Sequence, residues 1–422
     1  MPKIARGLGG IPQSAIRMVL FIGEWPGIVS LGIGEPDFDA PPEAVTAAID
    51  ALRKGASRYT ADPGTMELRE AILEKTKRDN NFEFDSEAEI MVTAGTSPAL
   101  FGSVLATVEA GDEVIIPAPA YLAYEPVVKI AGGKPVFVPA YESQGFVPDA
   151  DAIAEAVSSK TSLMIVCSPS NPTGAVWEKP SLQAAADLAV DHDFHILSDE
   201  LYERIVYDGT KAHSIASFDG MADRTITING VSKSHAMTGF RVGWVISSKS
   251  MIEAFRKIHQ YGTICASNSS QAAAVAALWH GEHHVKMMVQ EYGRRRNLLL
   301  KRINERIPLM SAINPKGSFF MFANINKLVE QHLDDMIAYF KSEKGKTFVG
   351  RLPPAVVEMI KEAQSGSKIA MLYLVAKANV LTTPGVAFGP VGENFLRISF
   401  AQEYGHIETA MDNIESALGR WG

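Results

Sequence analysis

The sequence predicts an α/β fold: a large domain built on a mostly parallel sheet covered by helices, with a smaller α+β domain beside it. Three observations carry this. From about Met91 onward, short apolar strands alternate with longer helical stretches, the pattern of a sheet buried on both faces. The pattern changes after about Leu298, where polar helical segments and isolated strands take over. The chain has 422 residues, 46% of them hydrophobic, which is long for one small domain and apolar enough for a large core.

Taken in order, "GIVSLGIGEPDF" at 27–38 precedes the main sheet. "AEIMVTAG" reads as the first strand and runs directly into a helix from Ser97 to about Val108. "DEVIIPAP", "KPVFVPA" and "TSLMIVCSPS" are further strands. A helix around "KPSLQAAADLAVDH" follows, then strands at "DFHILSDE", "TITING" and "FRVGWVISS". Beyond Leu298 the sequence predicts a long helix, the strand "GSFFMFANI", and a helical segment near 328–367 broken by a Gly/Pro turn. "NVLTTPGVAFG" and "NFLRISFA" complete the smaller domain. The expected division is 49–299 for the large domain, with 1–48 and 300–422 forming the small domain and an N-terminal arm.

Composition excludes several function classes. The formal net charge is −8 and no basic block offsets it, so the surface repels nucleic acid and anionic lipid. No apolar run reaches the roughly 18 residues of a membrane span, and the first 20 residues lack the apolar core of a signal peptide. The two cysteines, Cys167 and Cys265, form no disulfide framework and no metal-ligand spacing. The expectation is a cytoplasmic protein acting on small molecules, without metal. "HGEHH" at 280–284 matches neither spacing of a helical zinc motif and reads as an exposed helix start.

In a parallel α/β sheet, ligands bind beyond the carboxyl ends of the strands. Several strand ends here carry polar groups: Asn171 after "MIVCSPS", Asp199 and Tyr202 in "SDELY", Lys233 after "TINGVS". Thr96 and Ser97 start a helix immediately after a strand, where free N–H groups and the helix dipole favour an anion. Arg241 could supply a countercharge. Each has an ordinary reading as a cap, turn or packing residue. Their joint occurrence at the ends of one sheet is what points to a site.

These segments, "SPSNPTG", "SDELY", "SKSHAMTGFRVGW" and "FLRISFA" in this order, resemble the class I/II aminotransferases, fold-type-I enzymes dependent on pyridoxal 5'-phosphate. The likeness runs from "GIGEPDF" to Arg397. It implies that Lys233 is held as an imine with the cofactor and moves a proton between the substrate α-carbon and the cofactor. It implies that Asp199 pairs with the pyridine nitrogen and that Tyr202 and Asn171 bond the ring's 3-oxygen. Tyr121 matches the aromatic stacked on the ring. Thr96, Ser97 and Arg241 match the phosphate cradle, Ser232 is a further cofactor-binding position, and Tyr59 matches a tyrosine that reaches the neighbouring subunit's phosphate, so a homodimer is implied. Arg397 and Gly34, with Asn171, match the groups that take the substrate α-carboxylate.

The implied reaction moves an amino group between an L-amino acid and a 2-oxo acid, 2-oxoglutarate or pyruvate, by a ping-pong mechanism. A C–S lyase, a decarboxylase or an aminocyclopropane-carboxylate synthase-like enzyme would keep the same cofactor residues. A regulator built on the fold would need a DNA-binding domain ahead of "GIGEPDF", where about 30 residues stand. Two departures stand out: Gly230 occupies a position where serine often binds the phosphate, and the segment near 328–367 is long. Dicarboxylate-specific members of the family place either an arginine of the neighbouring subunit four residues before a Ser–Asn pair or a lysine in the phosphate-side turn. Here Ser267 and Asn268 form the pair, Thr263 stands four before it, and Ser97 occupies the turn. Arg17 is the remaining candidate cation. The expectation is a preference for neutral or aromatic amino donors.

Overall fold

The computed structural model describes residue 11 and residues 15–354, 356–357 and 365–421. Seven strands form the main sheet: β2 (Ile90–Thr93), β3 (Glu113–Ala118), β4 (Lys134–Pro139), β5 (Thr161–Cys167), β6 (His195–Asp199), β7 (Thr225–Gly230) and β8 (Gly243–Ile246). A short strand, β1 (Val29–Ser30), precedes them. The order across the sheet is β2-β8-β7-β6-β5-β3-β4. All neighbours are parallel except β8, which runs antiparallel to both β7 and β2.

Alternation along the central strands explains the two-sided burial. Leu163, Ile165, Leu197, Ile226 and Ile228 pack in one core with helices Thr96–Thr107 and Lys249–Gly262. Their sequence neighbours Met164, Val166 and Ile196 pack in another, against helix Lys179–Asp191. Successive side chains point to opposite faces, so a continuous apolar run is what a strand with helices on both sides requires.

The antiparallel β8 matters for the site. Strand β7 ends at Gly230, and the chain returns through Lys233 to Arg241 before β8 begins opposite it, with Gly230 and Gly243 in register. A lysine and an arginine eight residues apart therefore stand at the same end of the sheet. The two glycines permit this closeness: a Cβ on Gly230 would lie 2.8 Å from the Val242 carbonyl oxygen, and one on Gly243 2.8 Å from the Gly95 backbone. The missing serine hydroxyl at Gly230 is therefore a packing requirement of this strand pair.

Beyond the sheet, β1 pairs in parallel with β10 (Val380–Leu381). Strands β9 (Phe320–Asn324), β11 (Thr383–Pro384) and β12 (Phe395–Ser399) form an antiparallel sheet ordered β11-β12-β9. The Leu31 amide donates to the Leu381 carbonyl and the Ser399 amide to the Leu31 carbonyl, both at 2.7 Å, so the segment after β1 lies between the C-terminal strands. The helix Glu282–Arg306 runs unbroken across residue 299 and contributes to the packing on both sides of it. Helices Asn326–Lys341, Glu343–Val349 and Gly366–Ala378 occupy the long segment, and Leu328, Met336, Phe340 and Phe348 bury against the C-terminal core.

In "HGEHH", His280 and His283 are exposed but His284 is buried, because helix Glu282–Arg306 turns it inward. Among the described residues no cluster of metal-ligating side chains occurs and no helix is long and apolar enough to cross a membrane.

Candidate active site

A cavity of about 750 Å³ opens at the carboxyl ends of β2, β5, β6 and β7. Its wall brings together Gly34, Thr96, Ser97, Tyr121, Asn171, Asp199, Tyr202, Ser232, Lys233, Arg241 and Arg397. Tyr59 is apart from them, 78% exposed on the loop before helix Met66–Asn80.

Asp199 ends β6 and is buried. Its carboxylate accepts from the Tyr124 hydroxyl at 2.7 Å and the Leu201 amide at 3.3 Å. Burial raises its pKa, while these two donors and Lys233 oppose the rise. No cation forms an ion pair with it among the described residues, so it is a buried anion aimed at the cavity with a place for a positive partner. Tyr124 was not identified from sequence; its signal was the i, i+3 spacing from Tyr121 in "PAYLAY", and the two rings meet edge-on at 5.5 Å.

Lys233 follows β7 through Ser232 and donates from Nζ to the Gly34 carbonyl at 2.6 Å. Burial, with Arg397 and Arg241 adding repulsion, pushes its pKa down to about 8; Glu35 and Asp199 pull the other way. Part of this amine is thus neutral near physiological pH, the state a nucleophile needs.

The phosphate-side features converge on helix Thr96–Thr107. Its N-cap, Gly95, has φ 89° and no side-chain cap, so the first amides of the helix have no capping acceptor. The Arg241 guanidinium packs on Gly95 so closely that a Cβ there would lie 2.5 Å from Nη2. Ser232 Oγ is buried beside them without a hydrogen-bond partner. Free amides, a guanidinium and an orphaned hydroxyl are the donor set for an anion with several oxygens.

Arg397, on β12, is 1% exposed. It donates from Nη1 to Asn171 Oδ1 at 3.0 Å and from Nη2 to the Gly32 carbonyl at 2.6 Å. Its Nε is buried and unpartnered, and among the described residues none of its hydrogen-bond partners is a carboxylate. Burial lowers its pKa to about 10. The ring centroids of Phe320 and Phe388 lie 4.3 and 4.9 Å from its guanidinium carbon. A desolvated, unpaired guanidinium is costly unless an anion joins it.

The cavity wall therefore carries an anion cradle, a carboxylate without a cation, an amine, and a second anion site at Arg397. A cofactor with a phosphate and a basic ring nitrogen fits this donor set, as does a substrate carboxylate. Tyr202, buried edge-on to Phe319 and Phe320, lines the same wall. Further wall residues, to which the sequence assigned no role although they lie in the quoted segments, are Glu35, Thr238 and Phe320. Thr263 lines this chain's own cavity. The Arg17 side chain lies outside the described residues.

A family model described as "Aminotransferase class I and II" matches residues 26–414. The chain is 40% identical over 397 residues to the aromatic-amino-acid aminotransferase 2 of Thermococcus litoralis, covering 93% of this chain and 92% of the relative. It is 40% identical over 396 residues to an aspartate aminotransferase of Pyrococcus abyssi, with coverage of 93% and 92%. Among solved structures, the aspartate aminotransferase of Rhizobium meliloti superposes with a TM-score of 0.87 at 32% identity, over 100% of both chains. The aromatic aminotransferase of Pyrococcus horikoshii superposes at 0.82 and 39% identity, over 95% of this chain and 99% of that one.

Proposed function

The chain belongs to the class I and II aminotransferase family and moves amino groups between amino acids and 2-oxo acids; we propose that it does so with pyridoxal 5'-phosphate held in the cavity around Lys233. One observation carries this reading: a single cavity holds a low-pKa lysine, a buried carboxylate without a cation and a buried guanidinium without an anion.

In this reading Thr96, Ser97, Ser232 and Arg241 hold the cofactor's phosphate, and Tyr59 of a second copy joins them. Asp199 would pair with the ring nitrogen, Tyr121 would cover the ring, and Tyr202 and Asn171 would hydrogen-bond its 3-oxygen. When bound, pyridoxal phosphate supplies the electron sink that allows an α-proton to leave an amino acid.

The protein's own groups do the rest. Arg397, with Asn171 beside it and Gly34 packed against it, orients the substrate α-carboxylate. Lys233 Nζ takes and returns the proton at the substrate α-carbon; burial keeps it near the working pH, where general acid–base catalysis is most efficient. The apolar wall of Ile33, Leu100, Phe101, Val127 and Phe320 limits water around the amine.

The cations in the described wall are Lys233, Arg241 and Arg397, each engaged in this scheme, and Thr263 and Ser97 stand where dicarboxylate-specific enzymes put a cation. Neutral or aromatic amino donors are therefore the preferred class, with 2-oxoglutarate or pyruvate as acceptor. We read the working unit as a homodimer. Tyr59 is presented on a loop fixed by Gln271, which bonds the Thr65 amide at 2.8 Å and the Thr60 hydroxyl at 3.0 Å. Tyr261 and Ile264 are exposed apolar groups beside the cavity-wall residues Gly262 and Thr263. We also read residues 49–299 as the cofactor-binding domain and 1–48 with 300–422 as the smaller one, joined by helix Glu282–Arg306. Two unpaired cysteines, Cys167 and Cys265, suit the cytoplasm.

Borohydride reduction of the cofactor-loaded protein followed by peptide mass mapping tests the central assignment. Label on Lys233 alone supports it; label elsewhere overturns it.

A further inference from the structure

The segment 32–38 crosses the cavity as a strap, anchored at both ends. At one end the Gly32 carbonyl accepts from Arg397 Nη2 at 2.6 Å and from the Thr383 hydroxyl at 3.0 Å. At the other, Asp37 is paired with Arg295 at 2.8 Å and Phe38 packs edge-on to Tyr292 at 5.5 Å. Between the anchors, residues 33–36 make two hydrogen bonds among the described residues. One is Lys233 Nζ to the Gly34 carbonyl. The other runs from the Thr238 hydroxyl to the Glu35 carboxylate.

The first tie cannot last through the reaction, because Lys233 Nζ must engage substrate and cofactor. The second does not use the reacting amine, although the Glu35 carboxylate also favours the charged form of Lys233. Thr238 opens the short turn Thr238–Phe240, and its carbonyl accepts from Arg241 Nη1 at 2.9 Å. Arg241 in turn packs on Gly95 at the helix N-terminus. Glu35 therefore links the strap to the turn that supports the phosphate-side arginine. The strap has little room to be displaced inward: a Cβ on Gly34 would lie 2.9 Å from the Phe320 ring and 3.9 Å from Arg397 Nη1.

We propose that Glu35 is a positioning residue, which through Thr238 keeps the middle of the strap over the cavity so that Gly34 stays beside Arg397 when Lys233 lets go. The proposal rests on the reading that Arg397 and Gly34 receive the substrate α-carboxylate. Glu35 acts through geometry: the hydroxyl of Thr238 needs only an acceptor, so an amide at position 35 can replace the carboxylate.

The test uses the cofactor-loaded protein and its variants Glu35→Ala, Thr238→Val, the double variant, Glu35→Gln and Arg397→Lys. The readouts are KM and kcat for phenylalanine, the Kd of the unreactive carboxylate hydrocinnamate, and amide hydrogen exchange of residues 33–36. Loss of one hydrogen bond to a charged acceptor at an exposed edge predicts KM and Kd about fivefold higher in Glu35→Ala and in Thr238→Val. Cofactor content, and kcat in Thr238→Val, which keeps the Glu35 charge near Lys233, should change much less, and strap exchange should accelerate. The double variant should be no worse than either single one, since both remove the same bond, and Glu35→Gln should recover most of the affinity. Wild-type Kd in Glu35→Ala, multiplying effects in the double variant, or a Glu35→Gln as weak as Glu35→Ala overturns the proposal. Arg397→Lys separates the two layers. If it weakens hydrocinnamate while Glu35→Ala does not, the strap role alone falls; if it binds like wild type, the carboxylate reading falls and the proposal with it.

Discussion

The Tyr124 hydroxyl donates to the Asp199 carboxylate at 2.7 Å, joining the first residue of helix Tyr124–Ile130 to the end of β6 beneath the cavity. Burial raises the pKa of Asp199 above its ordinary 3.8, so the folded protein binds more protons than the unfolded chain between those two values. Stability of the cofactor-free protein therefore falls as pH rises through that window, and the Tyr124 hydrogen bond, which favours the ionised form, limits the loss. Tyr124→Phe should lower the Tm of cofactor-free protein more at pH 7 than at about pH 4, where the carboxyl is protonated in larger part. Equal losses at both pH values would show that the bond does not act on the ionised state.

Lys233 predicts the opposite slope. Its pKa in the folded protein is lowered from 10.5 to about 8, so the unfolded chain binds more protons between those values and stability rises with pH across them. Below pH 8 the folded protein carries the full cost of a buried ammonium. Lys233→Met should accordingly raise the Tm of cofactor-free protein at pH 7, with the advantage shrinking toward pH 10. The capture of pyridoxal phosphate by wild-type protein, trapped with borohydride, should rise with a midpoint near pH 8. A midpoint above 10 would mean that burial does not depress this amine.

Gly230→Ser restores the hydroxyl common at that position in the family, yet its Cβ would lie 2.8 Å from the Val242 carbonyl oxygen and 3.1 Å from Gly243 Cα. The neighbours are backbone and have little freedom to yield. Thermal unfolding should show a lower Tm, and titration should show no tighter cofactor binding. A variant that gains affinity at unchanged Tm would contradict the close approach of β7 and β8.

Substrate preference follows from the cations in the cavity wall. The specificity constant for phenylalanine should exceed that for aspartate, and Thr263→Arg should move the ratio toward aspartate by about tenfold, a change of some 1.4 kcal/mol in transition-state binding. Steady-state kinetics with both donors checks this. Aspartate preferred in the wild-type protein by more than about tenfold would reveal a cation outside the described wall.

Much of this was legible in the sequence because strand ends concentrate function. Asn171, Asp199 and Lys233 stand at or just after short apolar runs that read as strands, and parallel strands deliver their ends to one edge. The family resemblance, carried by the four ordered motifs and extending back to "GIGEPDF", then implied roles for Arg397 and Gly34, which no local pattern marks. Other features needed three dimensions. Tyr124 and Asp199 are 75 positions apart in the chain, and no periodicity relates them. Glu35 and Thr238 meet because Gly32 and Asp37 fasten the strap at its ends, through partners on β12 and on helix Glu282–Arg306. The buried state of His284 likewise depends on a helix start that a cluster of histidines disguises.

The most direct test of the account is a half-reaction without acceptor. Cofactor-loaded protein mixed with excess phenylalanine should release one equivalent of 2-oxo acid per active site and then stop, with the amino group retained on the protein until an acceptor is added; Lys233→Ala should release none on the same timescale. Continued turnover with free ammonia in the absence of acceptor, or wild-type release by Lys233→Ala, would contradict amino transfer through Lys233.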